Sequence, residues 1–274
     1  MPKILVLASE TIGGKALLDA VRRRAQAGDA EFYVVVPQTR PRHGMVIYDE
    51  AVRDAAQVRV DLTCAFMDEE GLQGRGEVGD PDPFTAAMDA IDAYGIDEVI
   101  VSTRPAATSG WLRRDLPERI HQESGRPVEH VVVDIDSEGL PFDVTLVVAN
   151  QTLATEELIS HLTEKAQASP HRFIVCAPVD SGNGPDVRAG RERLRSLIRS
   201  LRERDIIAAG FIGDPDPFAA IMNALQTFFI SEIVISTLPE TQSKWIEKGL
   251  IERVRRASGR PVEHVASQNV EAPA

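Results

Sequence analysis

Two hydroxyl pairs are the side chains in this sequence best suited to gripping a small ligand. Ser102-Thr103 and Ser236-Thr237 each end a short apolar run. A hydroxyl both donates and accepts, so it fits a phosphate oxygen or a ribose. Shortly after them come T-S-G-W (Thr108–Trp111) and T-Q-S-K-W (Thr241–Trp245). Ser109 and Ser243 suit helix N-caps, and Gly110 and Lys244 stand at the helix mouth. A helix start of that kind can accept an anion. The alternative is a plain capped helix with Trp111 or Trp245 packed beneath it. Two earlier apolar runs end in Ser9-Glu10-Thr11 and Asn150-Gln151-Thr152. Their polar side chains are the remaining candidates.

The most conspicuous repeat is G-D-P-D-P-F, at Gly79–Phe84 and again at Gly213–Phe218. Its aspartates suit an N-cap and the positive end of a helix dipole. Its prolines suit the first turn, where a missing N–H costs nothing. Phe84, Ala87, Met88 and Ile91 then follow at helical spacing, as do Phe218, Ile221, Met222 and Leu225. The motif therefore reads as a helix starter. Its carboxylates would repel phosphate and its prolines remove the amides that would cradle one. Asp80 and Asp82 alone are too few ligands for a cation site.

Nucleophilic catalysis has little support. There is no G-x-S-x-G turn. His130 and His264 recur within P-V-E-H-V and read as polar residues on a terminal strand. Neither catalytic nor metal-ligating residues are assigned. The two cysteines, Cys64 and Cys176, have no metal or redox spacing and read as reduced thiols.

The elements that must position these residues also come twice. Residues 79–130 align without a gap on the stretch 134 residues later, and half of the positions are identical. Both stretches close on S-G-R-P-V-E-H (Ser124–His130 and Ser258–His264). The earlier parts align 141 residues apart, I-L-V-L-A-S-E-T on T-L-V-V-A-N-Q-T. The chain is read as two copies of one unit, residues 1–137 and 138–274, joined near Asp136–Phe142. In the first copy the periodicity predicts strands at Ile4–Ala8, Phe32–Val36, up to Val78, Glu98–Ser102 and Val128–Val133. Helices are predicted at Gly13–Ala27, Ile47–Glu69, Pro83–Tyr94 and Gly110–Glu123. The second copy repeats the pattern and ends with a helix over Lys244–Ala257 and a strand over Val262–Ala266. Alternating strands and helices imply an α/β fold: two tandem doubly wound domains, each a five-stranded, mainly parallel sheet flanked by helices. With strand order 3-2-1-4-5, strands one and four are neighbours at the switch point where ligands bind. Ser9, Glu10, Ser102, Thr103, Ser109 and Gly110 would line one polar crevice. Asn150, Ser236, Thr237, Ser243 and Lys244 would line the other.

Net charge is −12, which opposes non-specific nucleic-acid binding. No apolar run is long enough to cross a bilayer, so no membrane partner is expected. The first residues show no secretory signal pattern, and a cytoplasmic location is expected.

The order of these motifs resembles the universal stress proteins, of the nucleotide α-hydrolase-like superfamily. The resemblance covers nearly the whole chain as two tandem domains. It is strongest over V-G-D-P-D-P-F-T-A-A-M-D-A-I-D-A-Y-G-I-D-E-V-I-V (Val78–Val101) and over the G-R-P-V of Gly125–Val128. It implies the 3-2-1-4-5 sheet, internal pairing of the domains or a homodimer through the last strand, and stress-linked cytoplasmic roles. In some members it also implies bound ATP. The ATP-binding members carry an acid at the end of strand one and a G-x2-G-x9-G-(S/T) loop after strand four. Here Ser9 and Asn150 stand in place of the acid, and S-T-R-P-A and S-T-L-P-E follow strand four without glycine. Arg114-Asp115-Leu116 occupies the region of the Gly-Ser pair. The expectation is a binding or regulatory protein that takes ATP or another adenine nucleotide, with Mg²⁺, in one or both domains. The alternative is a partner-docking protein with no ligand and an internal pseudo-dimer. A nucleotide α-hydrolase is the third class, and no paired base and nucleophile supports it.

Overall fold

Residues 1–38, 49–105, 111, 115–153, 155–179, 185–239, 243–247 and 249–267 are described by a computed structural model. The chain divides into two units, Met1–Pro141 and Phe142–Ala274. The first contains β1 (Lys3–Leu7), α1 (Lys15–Gln26), β2 (Glu31–Pro37), α2 (Asp49–Glu69), β3 (Gln73–Gly79), α3 (Pro83–Tyr94), β4 (Glu98–Thr103), α4 (Leu116–Ser124) and β5 (Val128–Val132). A one-turn helix, α5 (Ile135–Glu138), occupies the segment read from sequence as the join. The second unit contains β6 (Asp143–Val148), α6 (Glu156–Ala168), β7 (His171–Pro178), α7 (Pro185–Arg202), β8 (Ala208–Gly213), α8 (Pro217–Thr227), β9 (Glu232–Thr237), α9 (Lys244–Glu247), α10 (Leu250–Ser258) and β10 (Val262–Ala266).

The first sheet runs β3-β2-β1-β4-β5 and the second β10-β9-β6-β7-β8. All the strand pairs are parallel. Both sheets therefore have the expected 3-2-1-4-5 order. The inner strands are apolar on both faces because helices cover both faces. Leu5, Leu7, Tyr33, Val35, Val99 and Val101 pack with Ala87, Ile91, Leu116 and Ile120 of α3 and α4. In the second unit Val147, Phe173, Val175 and Val234 pack with Leu158, Leu162, Leu194, Leu197 and Leu201 of α6 and α7. Phe32 and Phe173 are completely buried. Burying a phenylalanine side chain stabilises the fold by about 1.5–3 kcal/mol.

The repeated hexapeptide performs the scaffold task read from its composition. Asp82 caps α3 by accepting from the amide of Thr85 at 3.2 Å. Asp80 accepts from the amide of Asp82 at 2.8 Å and so shapes the turn. In the second unit Asp216 accepts from the Phe218 amide and Asp214 from the Asp216 amide. The leading glycine is there for closeness. A Cβ on Gly79 would stand 2.7 Å from Val35 Cγ1 and 2.8 Å from Ala86 Cβ. On Gly213 it would stand 2.4 Å from Cys176 Sγ. Arg119 stacks over Phe84 and Arg253 over Phe218, which covers the exposed side of each ring.

The last helix differs from expectation. In the second unit the single helix predicted over Lys244–Ala257 is broken into α9 and α10. The break falls at Gly249, whose φ of 61° is left-handed and cannot continue a helix. Its counterpart Asp115 has a φ of 46° and immediately precedes α4. The helix mouth at Ser243 therefore belongs to a one-turn helix, and little dipole is available there to hold an anion.

Candidate functional site

Strand alternation splits each hydroxyl pair between the two faces of its sheet. Thr103 has the parity of Val99 and Val101, so it lies on the α3/α4 face. Ser102 lies on the opposite face. In the second unit Ser236 has the parity of Val234 and lies on the α6/α7 face. The serine and the threonine of each pair thus stand on opposite faces of their sheet.

The threonines are committed to structure. Thr103 Oγ1 lies 2.8 Å from His130 Nε2, and Thr237 Oγ1 lies 2.9 Å from His264 Nε2. The register explains the match, since His130 sits beside Val101 and His264 beside Ile235. The repeated histidines thus tie each terminal strand to its neighbour. Burial pushes the His130 imidazole below the ordinary histidine pKa.

The serines are not committed. Ser102 and Ser236 are each 1% exposed, and neither Oγ has a hydrogen-bond partner among the described residues. A buried hydroxyl left unpaired costs about 1–3 kcal/mol. Both orphans sit at the carboxyl end of the fourth strand, beside the first strand, where the strand order reverses. Thr11 Oγ1 reaches the carbonyl of Ser102 at 3.4 Å. Its counterpart Thr152 is also buried, and its Oγ1 has no partner among the described residues.

The surroundings of the two serines differ. In the first unit Ser9 is buried. Glu10 accepts from Arg104 Nη1 at 3.3 Å, and Arg104 also pairs with Asp136 of α5. Arg59 of α2 is buried, and desolvation pushes its pKa down to about 10, partly opposed by the charge of Glu10. In the second unit Gln151 replaces Glu10 and Leu238 replaces Arg104. Asn150 donates to the Pro178 carbonyl at 2.8 Å. Arg193 of α7, the counterpart of Arg59, donates from Nε to the Asn150 carbonyl at 3.2 Å and from Nη2 to Asn150 Oδ1 at 2.7 Å. Asn150 therefore joins the ends of β6 and β7 to α7, and its side chain is already engaged.

A second exchange lies close by. A Cβ on Gly14 would fall 2.1 Å from Val133 Cγ1. At the matching positions Thr155 Oγ1 lies 2.8 Å from Ser267 Oγ. A glycine–valine contact in one copy is a threonine–serine hydrogen bond in the other. Each pair holds the loop after the first strand against the end of the last.

Ser109 and Gly110 lie outside the described residues. Ser243 Oγ accepts from the amide of Ile246 at 3.4 Å and caps α9, while the side chain of Lys244 lies outside the described residues. Among the described residues no three His, Cys, Asp or Glu side chains are arranged to hold a metal ion. None of their helices is long and apolar enough to cross a membrane. Arg193, Arg59 and Arg104 were not among the residues picked from sequence. Arg59 and Arg193 stand 134 residues apart, the spacing that aligns the hexapeptides. Extending that alignment backward would have paired them.

No family model matches the chain, and no curated protein matches it. Among solved structures it is similar to a universal stress protein from Archaeoglobus fulgidus DSM 4304, at 15% sequence identity and a TM-score of 0.38. That match covers 98% of this chain and 97% of the other.

Proposed function

We propose that this protein is a universal-stress-type binding and regulatory protein that takes a small phosphorylated ligand at the carboxyl ends of its strands. The observation that carries this is the buried serine without a partner among the described residues, present at the same strand end in both units. An unpaired hydroxyl beside a topological switch point is where a ligand oxygen would repay its desolvation. The choice of an adenine nucleotide with Mg²⁺ comes from the motif order, which resembles that of the universal stress proteins, a family with ATP bound in some members. The test is a thermal-shift and calorimetric screen of the full chain with ATP, ADP, AMP and cyclic AMP, with Mg²⁺. A ligand at about one hundred times its Kd stabilises the folded state by about 2.7 kcal/mol. Absence of both heat and thermal shift at millimolar ligand would overturn the proposal.

A second reading, a partner-docking scaffold without ligand, is favoured by the first unit. There Glu10 and Asp136 both pair with Arg104 across the mouth of the strands. On this reading the protein's own charged side chains already occupy the mouth of that sheet.

A further inference from the structure

The ligand-binding reading leaves open which unit binds, and the following rests on that reading. We infer that the second unit alone takes the anionic, phosphate end of the ligand, with Arg193, Ser236 and Thr152 as the groups that hold it.

Charge supplies the first argument. In the first unit the guanidinium of Arg104 already faces two carboxylates, Glu10 and Asp136. A phosphate arriving there would meet both acids. In the second unit the positions of Glu10 and Arg104 are the neutral Gln151 and Leu238. Arg193 is held by two oxygens of Asn150, one carbonyl and one amide, and both are neutral. Among the described residues no carboxylate lies within ion-pair distance of it. It is half-buried, so part of its hydration is lost without a counter-charge. An arginine has five N–H donors in a planar fork. Two bonds to Asn150 leave donors for a phosphate, the group that fork matches best.

Convergence supplies the second argument. Ser236 lies on the α6/α7 face of the sheet, the face from which Arg193 approaches. β6 and β9 are adjacent, with Val148 beside Ile235, so Asn150, Thr152 and Ser236 follow the ends of neighbouring strands. Two buried hydroxyls without partners among the described residues stand here, on Ser236 and Thr152. Among the described residues of the first unit Ser102 is in that position and Thr11 is not, because Thr11 reaches a carbonyl.

The experiment is titration calorimetry on the full chain with three probes: ADP, inorganic phosphate and adenosine. The proteins are wild type, Ser236→Ala, Ser102→Ala and Gln151→Glu. Either serine change removes a hydroxyl that bonds nothing among the described residues, so folding survives. Gln151 is exposed, so its glutamate adds charge without disturbing packing. One site per chain is expected. Ser236→Ala weakens ADP by about tenfold, and Ser102→Ala leaves it unchanged. Gln151→Glu weakens ADP and phosphate by about fivefold and leaves adenosine untouched. Loss of ADP binding in Ser102→Ala but not in Ser236→Ala moves the ligand to the first unit. That overturns this inference and spares the reading beneath it. Phosphate binding that Ser236→Ala abolishes, without any ADP binding, supports the inference and overturns the nucleotide reading. No binding of any probe overturns both.

Discussion

A serine at the end of a buried strand has three options: pair with the protein, pair with a guest, or carry a penalty. Ser102 and Ser236 do not take the first among the described residues. In the ligand-free protein, Ser102→Ala and Ser236→Ala should each raise the unfolding free energy by about 1 kcal/mol, read from the urea midpoint. A fall of similar size would mean that each hydroxyl has a partner within the fold. His130 makes a second residue-scale prediction. Its pKa lies below the ordinary histidine value of 6.5 because burial disfavours its charged form. The unfolded chain therefore binds the proton first as pH falls below that value, so the stability from neutral His130 is present above it and lost below it. An NMR titration should place the His130 midpoint below the ordinary histidine value, and a midpoint above it would contradict the burial argument. The hydroxyl pairs were legible in the sequence, but their separate fates were not. Alternation alone would have put Ser102 and Thr103 on opposite faces. The partner of Thr103 required knowing that His130 lies beside Val101. The Arg193–Asn150 contact could not be read locally, because it joins a helix to a loop 43 positions away.

Short elements with strong punctuation were the most readable. G-D-P-D-P-F announced a strand end and a capped helix, and α3 and α8 begin at Pro83 and Pro217. The buried face of α3 is Ala86, Ala87, Ala90 and Ile91, while Phe84 and Met88 of the expected stripe are half-buried. Asp82→Ala should cost about 1 kcal/mol of stability, measured by denaturant unfolding, and should leave ligand affinity unchanged. A loss of affinity with no loss of stability would make the hexapeptide part of the site. The last helix was less readable. Its apolar spacing runs on through Leu250 and Val254, but Gly249 adopts a backbone conformation that ends a helix. Glycine tolerates a helix interior as well as a break, so the residue type did not decide between them.

At the scale of the whole molecule, the two copies keep their frame and diverge where function would differ. In both, a cation on the first helix clamps glutamates near the start of the fourth strand or of the fourth and fifth strands. Arg24 pairs with Glu98, and Lys165 lies 3.0 Å from Glu232 and 2.8 Å from Glu263. Burial alone would raise the Glu263 carboxyl pKa, but Lys165 and His161 bond its charged form and hold it below the ordinary glutamate value of 4.5. Its contribution to stability is thus present above that ordinary value and lost as pH falls below it. Glu263→Gln should flatten the acid limb of a stability–pH curve, and an unchanged limb would show that the clamp adds nothing. The doubling of the unit and the order of its strands were legible because both depend on long, periodic segments. The difference between the crevices was not, because it rests on single exchanges such as Glu10 for Gln151 and Arg104 for Leu238. Whether the buried serines await a ligand is tested most directly by native mass spectrometry, with ADP and Mg²⁺ added to wild type and to the Ser102→Ala, Ser236→Ala double variant. A mass increase of one ADP is expected on the wild-type chain, and the double variant should need about tenfold more ADP for the same occupancy. Equal ADP occupancy of the two proteins at every ADP concentration, or none on either, would contradict the ligand-binding role of Ser236.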